Sequence, residues 1–220
     1  MPSGCRGRRR VARVNRMHAA SGGGFFDVER PEPPEPDELP TPPWMQPPRD
    51  ELPGRVVLDE VLFRSERVVL VLREIRLFGN GLELRLGWSA RRAGMPRREW
   101  DESMQSAMGW QAPPGDESTF RVGLRLPDGA PLLPLHLLGN PWGEPESVAP
   151  PTLMANHGGS SGGADWYDGR QTAWLWWPTR PEGDDLELVV EWRGLEIPEL
   201  SHRIPADVLA AAPAPRPLWD

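Results

Sequence analysis

Val68-Val-Leu-Val-Leu-Arg-Glu-Ile-Arg-Leu-Phe-Gly-Asn-Gly-Leu-Glu-Leu-Arg-Leu-Gly-Trp88 is the stretch that decides the fold. Two aliphatic runs flank Asn80-Gly81, a pair that reaches positive φ at low cost and therefore marks a hairpin. Taken as a two-residue turn, Asn80-Gly81 pairs Leu77 with Leu84, Ile75 with Leu86 and Arg73 with Trp88 on one face. Phe78–Glu83, Arg76–Arg85 and Glu74–Gly87 then fall on the other. Leu82, Leu84, Leu86 and Trp88 look inward, and a slip of one residue would turn the whole set to water.

The same period-two reading extends outward in both directions. Val56 to Phe63 reads as a preceding strand. Thr119 to Leu126 alternates Phe120, Val122, Leu124 and Leu126 against Arg121 and Arg125, ending in the turn Pro127-Asp128-Gly129. Pro131 and Pro134 cannot donate to a ladder, so Leu132 to Leu138 is expected at a sheet edge. Leu153 to Asn156 reads as a short strand, Thr172 to Trp177 as a central strand apolar on both faces, and Leu186 to Trp192 as its hairpin partner. Ile197 to Ile204 reads as a last strand, and Pro205 opens a short helix through Val208 and Leu209. Between Ala90 and Ser118 the strand pattern gives way to Trp100, Met104, Ala107 and Met108 at i, i+4, i+7 and i+8, one face of a helix. These segments predict a mostly β chain, an antiparallel β-sandwich of about seven or eight short strands with one or two short helices.

Composition narrows the function classes. Every one of the 25 basic residues is arginine, so a P-loop lysine, a Schiff-base lysine and a kinase strand lysine are all missing. Cys5 is the only cysteine, which leaves no disulfide framework and no cysteine zinc site. No apolar run reaches the length of a membrane span, and a cytoplasmic location is expected. Residues 1–24 form an Arg-rich arm expected to be disordered, with residues 1–16 read as an extension upstream of a start at Met17. Without the six arginines of that extension the net charge of −7 becomes −13. Residues 25–54 are an extended Pro/Glu-rich segment, in which Trp44 and Met45 are placed to anchor it to the core. Residues 55–212 are expected to be a single sandwich domain and 213–220 a tail.

The functional expectation centres on His157-Gly-Gly-Ser-Ser-Gly-Gly-Ala-Asp-Trp-Tyr-Asp-Gly169, read as a flexible loop beside the densest aromatic cluster. Trp166 and Tyr167 are the candidate contact residues, with His157, Asp165 and Asp168 beside them. Trp88 and Trp192 are expected in the core, and Trp174 and Trp176 share a face opposed by Trp177. Ser160 and Ser161 lack the strand-turn-helix setting of a nucleophile elbow, and no helix follows the glycines to cradle a phosphate. The reading is a non-enzymatic interaction module, its surface built from the loop 157–169 and its aromatics, for a protein, peptide or glycan. No cofactor, nucleic acid or membrane partner is expected. The alternative is a metal-binding protein or metal-dependent enzyme using His157, Asp165 and Asp168.

The lead Phe25-Phe26-Asp-Val-Glu-Arg-Pro, the strand pair, the Gly-Gly-x-x-Gly-Gly stretch and Trp174-Leu-Trp-Trp-Pro-x-x-Pro181 together resemble small uncharacterised proteins of actinobacteria, over roughly residues 25–204. That family has no established activity, so the resemblance implies no catalytic residue.

Overall fold

The computed structural model describes residues 41–108, 118–135, 148–180 and 183–219. The chain divides into two units, Met1–Leu39 and Pro40–Asp220, and all described residues belong to the second. The expected Arg-rich arm, the first part of the Pro/Glu-rich segment and the end of the Leu132–Leu138 strand lie outside the described residues.

In chain order the strands are β1 (Glu51–Leu52), β2 (Gly54–Arg64), β3 (Val68–Phe78), β4 (Gly81–Arg91), β5 (Arg121–Arg125), β6 (Pro131–Leu132), β7 (Thr152–Gly162), β8 (Trp166–Trp176), β9 (Leu186–Trp192), β10 (Ile197–Ile204) and β11 (Arg216–Pro217). Helix α1 covers Arg97–Met108 and α2 covers Ala206–Ala210. A five-stranded sheet in the order β2-β3-β4-β8-β7 and a four-stranded sheet in the order β10-β9-β5-β6 form the antiparallel β-sandwich that the alternation predicts. The expected C-terminal tail contributes to the fold, because β11 pairs with β1 and Leu218 donates its N–H to Asp50 O at 2.7 Å. On one side the sheets meet where His202 Nε2 lies 3.3 Å from Glu60 Oε2. On the other, Pro134 forms a parallel bridge to Leu153.

The central hairpin keeps the predicted faces of β4 and of Ile75 and Leu77, but Arg73, expected inward with Trp88, lies exposed on the outer side, and the register differs. Its turn is Gly79-Asn80, so Phe78 pairs with Gly81, Leu77 with Leu82 and Ile75 with Leu84. Because side chains alternate with period two, this two-residue displacement leaves Leu82, Leu84, Leu86 and Trp88 inward, and all four are buried. A bulge between Leu72 and Glu74 leaves Arg73 without a partner in the ladder and Trp88 opposite Leu70. The inward set of β3 thereby changes from Leu70 and Leu72 to Ile75 and Leu77. Arg73 turns instead to Asp59 Oδ1 at 3.0 Å, beside a matching irregularity in β2 where Asp59 itself has φ 47°.

The core joins these residues to Val122, Leu124, Leu186, Leu188, Val190, Trp192, Ile197 and Ile204 of the smaller sheet. The helix read from Trp100, Met104, Ala107 and Met108 forms as α1; its first three apolar residues are buried in this cluster and Met108 packs against it. Its other face carries Arg97–Asp101 and Arg98–Glu102 pairs at 2.8 and 2.7 Å, worth a few tenths of a kcal/mol each. Trp88 stands edge-on to Trp192 with centroids 4.9 Å apart, and Phe120 edge-on to Trp192 at 5.4 Å. The expected core roles of Trp88 and Trp192 follow from this packing.

On the outer face of the larger sheet, Glu74 gathers three guanidinium groups from three strands. Its side chain is 9% exposed, and it accepts from Arg55 Nε at 3.0 Å, Arg76 Nε at 2.8 Å and Arg85 Nη1 at 2.9 Å. Burial pushes its pKa up, but the hydrogen bonds from Arg55 and Arg85 and the charges of Arg76 and Arg55 outweigh it, holding the carboxyl below its ordinary value. For Glu83, set opposite Arg76, burial wins and the pKa is raised despite Arg76 and Arg85.

The two acids therefore act with opposite signs. A depressed folded pKa gives Glu74 a stabilising contribution that is present above the ordinary glutamate range and lost as pH falls through its folded value. A raised folded pKa makes Glu83 a destabilising charge once pH exceeds the ordinary range. Glu74→Gln should lower stability at pH 7 by about 2–3 kcal/mol, whereas Glu83→Gln should leave it unchanged or raise it. Urea unfolding of both variants at pH 7 and pH 4 checks this: the Glu74→Gln deficit should shrink at the lower pH.

Candidate functional site

The glycine-rich stretch is not a flexible loop. Residues 152–162 and 166–176 are the two strands of a hairpin joined through Gly163-Ala164-Asp165, with Gly162 opposite Tyr167, Ser161 opposite Asp168 and Ser160 opposite Gly169. A bulge at Gly158-Gly159, where Gly159 takes φ 92°, separates that register from His157 opposite Gln171. Two of the glycines are there for packing. A Cβ on Gly169 would meet the Trp88 indole at 2.4 Å, and one on Gly162 would meet the Tyr167 ring at 2.3 Å. In each case an aromatic ring on a neighbouring strand fills the place of the missing side chain.

Strand alternation sorts the expected site residues onto opposite sides. Tyr167 lies on the inner face, packed against the core, with its ring 5.9 Å from that of Trp100. Trp166, Asp168 and Arg170 lie on the outer face, where Trp166 is 49% exposed. Trp166 and Tyr167 thus cannot touch the same partner surface, although they are adjacent in sequence. Asp165 sits in the hairpin turn, where its Oδ1 accepts from Arg92 Nε at 2.6 Å and its carbonyl from Arg92 N at 2.9 Å. His157 Nδ1 lies 2.8 Å from Gln171 Nε2. Its pKa is lowered, chiefly because burial penalises the charged ring. His157, Asp165 and Asp168 are each committed to a different partner, and among the described residues no three His, Cys, Asp or Glu side chains gather as a metal site. Ser160 Oγ faces Met108 Sδ at 3.2 Å.

The outer face of the larger sheet is closed at one end and open at the other. At the closed end Trp44, from the Pro-rich lead, is buried with Trp174 and Met154, and Phe78 and Trp176 pack beside them. Trp174 Nε1 donates to Pro43 O at 3.0 Å, which is the anchoring expected of Trp44 and explains why an outward indole is buried. The Glu74 network follows in the next rows. Beyond it the face falls into a depression of about 780 Å³ bordered by Arg73, Arg85, Ser89, Ser161, Asp168 and Arg170.

Glycines make this depression. Gly87, opposite Arg170, projects no side chain, and the Arg73 side chain lies across it with Nε 2.8 Å from where a Cβ would stand. A second hollow of about 430 Å³ continues along the sheet, sharing Ser89 and Asp168 and adding Arg64, Arg67, Arg91 and Trp166. The two form one trough. Ser89 Oγ donates to the Asp168 carboxylate across the β4–β8 pair, fixing an acceptor in the middle.

The trough's arginines fall into two groups. Arg73 and Arg85 are paired with Asp59 and Glu74, and Arg67 lies 3.6 Å from Glu196. Arg64 and Arg170 have no carboxylate partner among the described residues, and Arg91 donates only to a backbone oxygen, Glu66 O at 2.6 Å. The tryptophan and the aspartate of this site were legible from residue type. Its arginines were not, because they come from β2, the β2–β3 turn, β3, β4 and β8, and which of them lacks an acid depends on strand order.

The opposite faces of residues 166 and 167 give separable outcomes. Trp166→Ala should change stability by less than about 1 kcal/mol, as for an exposed side chain. Tyr167→Ala should cost about 2–3 kcal/mol by removing the ring from Trp100 and Gly162. Gly169→Ala should cost about as much, since the new methyl must displace the Trp88 indole. Thermal unfolding of the three variants checks these values.

Compared with family models, with curated proteins and with solved structures, the chain matches none, so the chemistry of this face is read from its own side chains.

Proposed function

We propose that this domain is a non-enzymatic interaction module whose contact surface is the outer face of the glycine-rich hairpin together with β4. The partner is a protein, peptide or glycan. The observation that carries the reading is the open trough: a half-exposed indole, a fixed carboxylate and three arginines with no acid partner among the described residues share one sheet face. Such a surface favours a ligand because Trp and Arg can bury area and donate hydrogen bonds at once, and β strands hold them with little entropy left to lose. Each of its two hollows has a volume in the range of ordinary ligand clefts, and from Arg85 to Arg91 the trough extends about 20 Å, long enough for an extended segment. Chemistry on a bound molecule has less support: among the described residues no serine hydroxyl is hydrogen-bonded to a histidine, and Asp168 is held by Ser89.

Peptide and glycan panels probed with the full chain test the proposal. At least one member should bind with Kd below about 100 μM, and Trp166→Ala and Arg170→Gln should each weaken it at least tenfold without lowering the melting temperature. Binding that both variants leave intact would remove the contact surface from this face. Chemical conversion of a bound member would overturn the non-enzymatic reading.

A further inference from the structure

Resting on the proposed binding face, we infer that its ligand is an acidic oligosaccharide, a chain of sugar rings carrying carboxylates. Three features of the trough converge on that chemistry. First, the local charge is reversed. In a chain of net charge −7, the two joined hollows present Arg64, Arg67, Arg73, Arg85, Arg91 and Arg170 against Glu66, Glu74 and Asp168. Elsewhere on the sandwich, cross-strand arginines face acids directly, as in Arg121–Glu191 and Arg125–Glu187. Here Arg64, Arg91 and Arg170 are left for a carboxylate from outside, which a guanidinium holds through two parallel hydrogen bonds.

Second, the face carries acceptors and hydroxyls as well as cations. Asp168, held by Ser89, sits between Trp166 and Arg170 on the same strand, and Ser161 stands opposite it on β7. A ligand with only negative groups would be repelled by Asp168, whereas a sugar brings hydroxyl donors for it and acceptors for the serines. This favours a polyhydroxylated acid over an acidic peptide, whose side chains supply few donors, and over a phosphate backbone. Third, Trp166 turns a large apolar face to solvent at the end of that polar row. The C–H face of a pyranose ring can cover an indole while the ring's equatorial groups reach Asp168 and its neighbour's carboxylate reaches Arg170. Successive outer residues of β8 are about 7 Å apart, so stacking, hydroxyl and carboxylate contacts fall to consecutive parts of one extended chain.

The decisive experiment uses isothermal titration of the full chain with oligomers of galacturonate and of glucuronate, their methyl esters, and polyglutamate. Binding of at least one uronate series is expected, with the ester at least tenfold weaker because it keeps the rings and loses the charge. Arg170→Gln should reduce affinity for the acid at least tenfold and narrow its advantage over the ester. Trp166→Ala should weaken acid and ester alike, with the melting temperature of both variants unchanged. Polyglutamate binding as well as the uronates, with Trp166→Ala without effect, would overturn the sugar and leave an acidic peptide on the same face. No binding of either uronate series at millimolar concentration would overturn the inference, and the panels above would still decide separately whether this face binds anything. Uronate binding untouched by both substitutions would overturn the inference and the proposed face together.

Discussion

The contact on which both sides of this molecule depend is the Trp88 indole lying over Gly169. The two residues sit opposite one another on β4 and β8, and the ring occupies the space a side chain on residue 169 would need. Any residue with a Cβ there would push the strands apart or displace the indole from Trp192. The contact therefore selects one β4–β8 register. Because side chains alternate, that register also decides the opposite face, placing Ser89 against Asp168, Gly87 against Arg170 and Arg91 against Trp166. A core packing requirement thus builds the trough. It also explains why glycine suits a strand that its composition disguises as a loop: the rings of Trp88 and Tyr167 supply the buried area that the glycines do not.

Trp88 and Trp192 carry a penalty as well. Their Nε1 atoms, like that of Trp100, are buried without a hydrogen-bond partner among the described residues. An unsatisfied buried donor costs about 1–3 kcal/mol, comparable to the gain from burying a large side chain, so the net contribution of each indole is smaller than its area suggests. Trp174 differs, since its N–H reaches Pro43 O. That bond joins the Pro-rich lead to the sheet and makes residues 41–49 a cover for one end of the outer face.

Charge on the outer face is graded along the sheet. Glu74 is saturated by Arg55, Arg76 and Arg85, so those guanidinium groups are bound to a carboxylate whose pKa they hold below its ordinary value. One bulge creates this arrangement. With Arg73 left out of the ladder, Leu70 and Leu72 join the core while Glu74 stays on the outer side, where its neighbours are arginines and no apolar core penalises its charge. Past the bulge, acids become fewer and arginines remain. The transition from a closed ionic network to open guanidinium groups is the electrostatic basis of the proposed binding face.

Several features are fixed by local pattern and can be read from the chain alone. The inward set Leu82, Leu84, Leu86 and Trp88, the buried stripe Trp100, Met104 and Ala107 of α1, the antiparallel sandwich and the anchoring of Trp44 all follow from side-chain periodicity, or from apolar residues in a polar segment. Periodicity fails where side chains are missing. Gly158 to Gly169 has too few of them to show alternation, so the hairpin and the opposite orientations of Trp166 and Tyr167 appear only once β4 and β7 flank β8. The Arg73 bulge is silent for the converse reason: Val68 to Leu72 is apolar on both faces, and a run without contrast does not reveal where its parity changes. The trough itself belongs to tertiary structure. Ser89 and Asp168 are 79 residues apart in sequence, and whether an arginine is paired or free depends on which strands lie side by side, a non-local property no window of sequence contains.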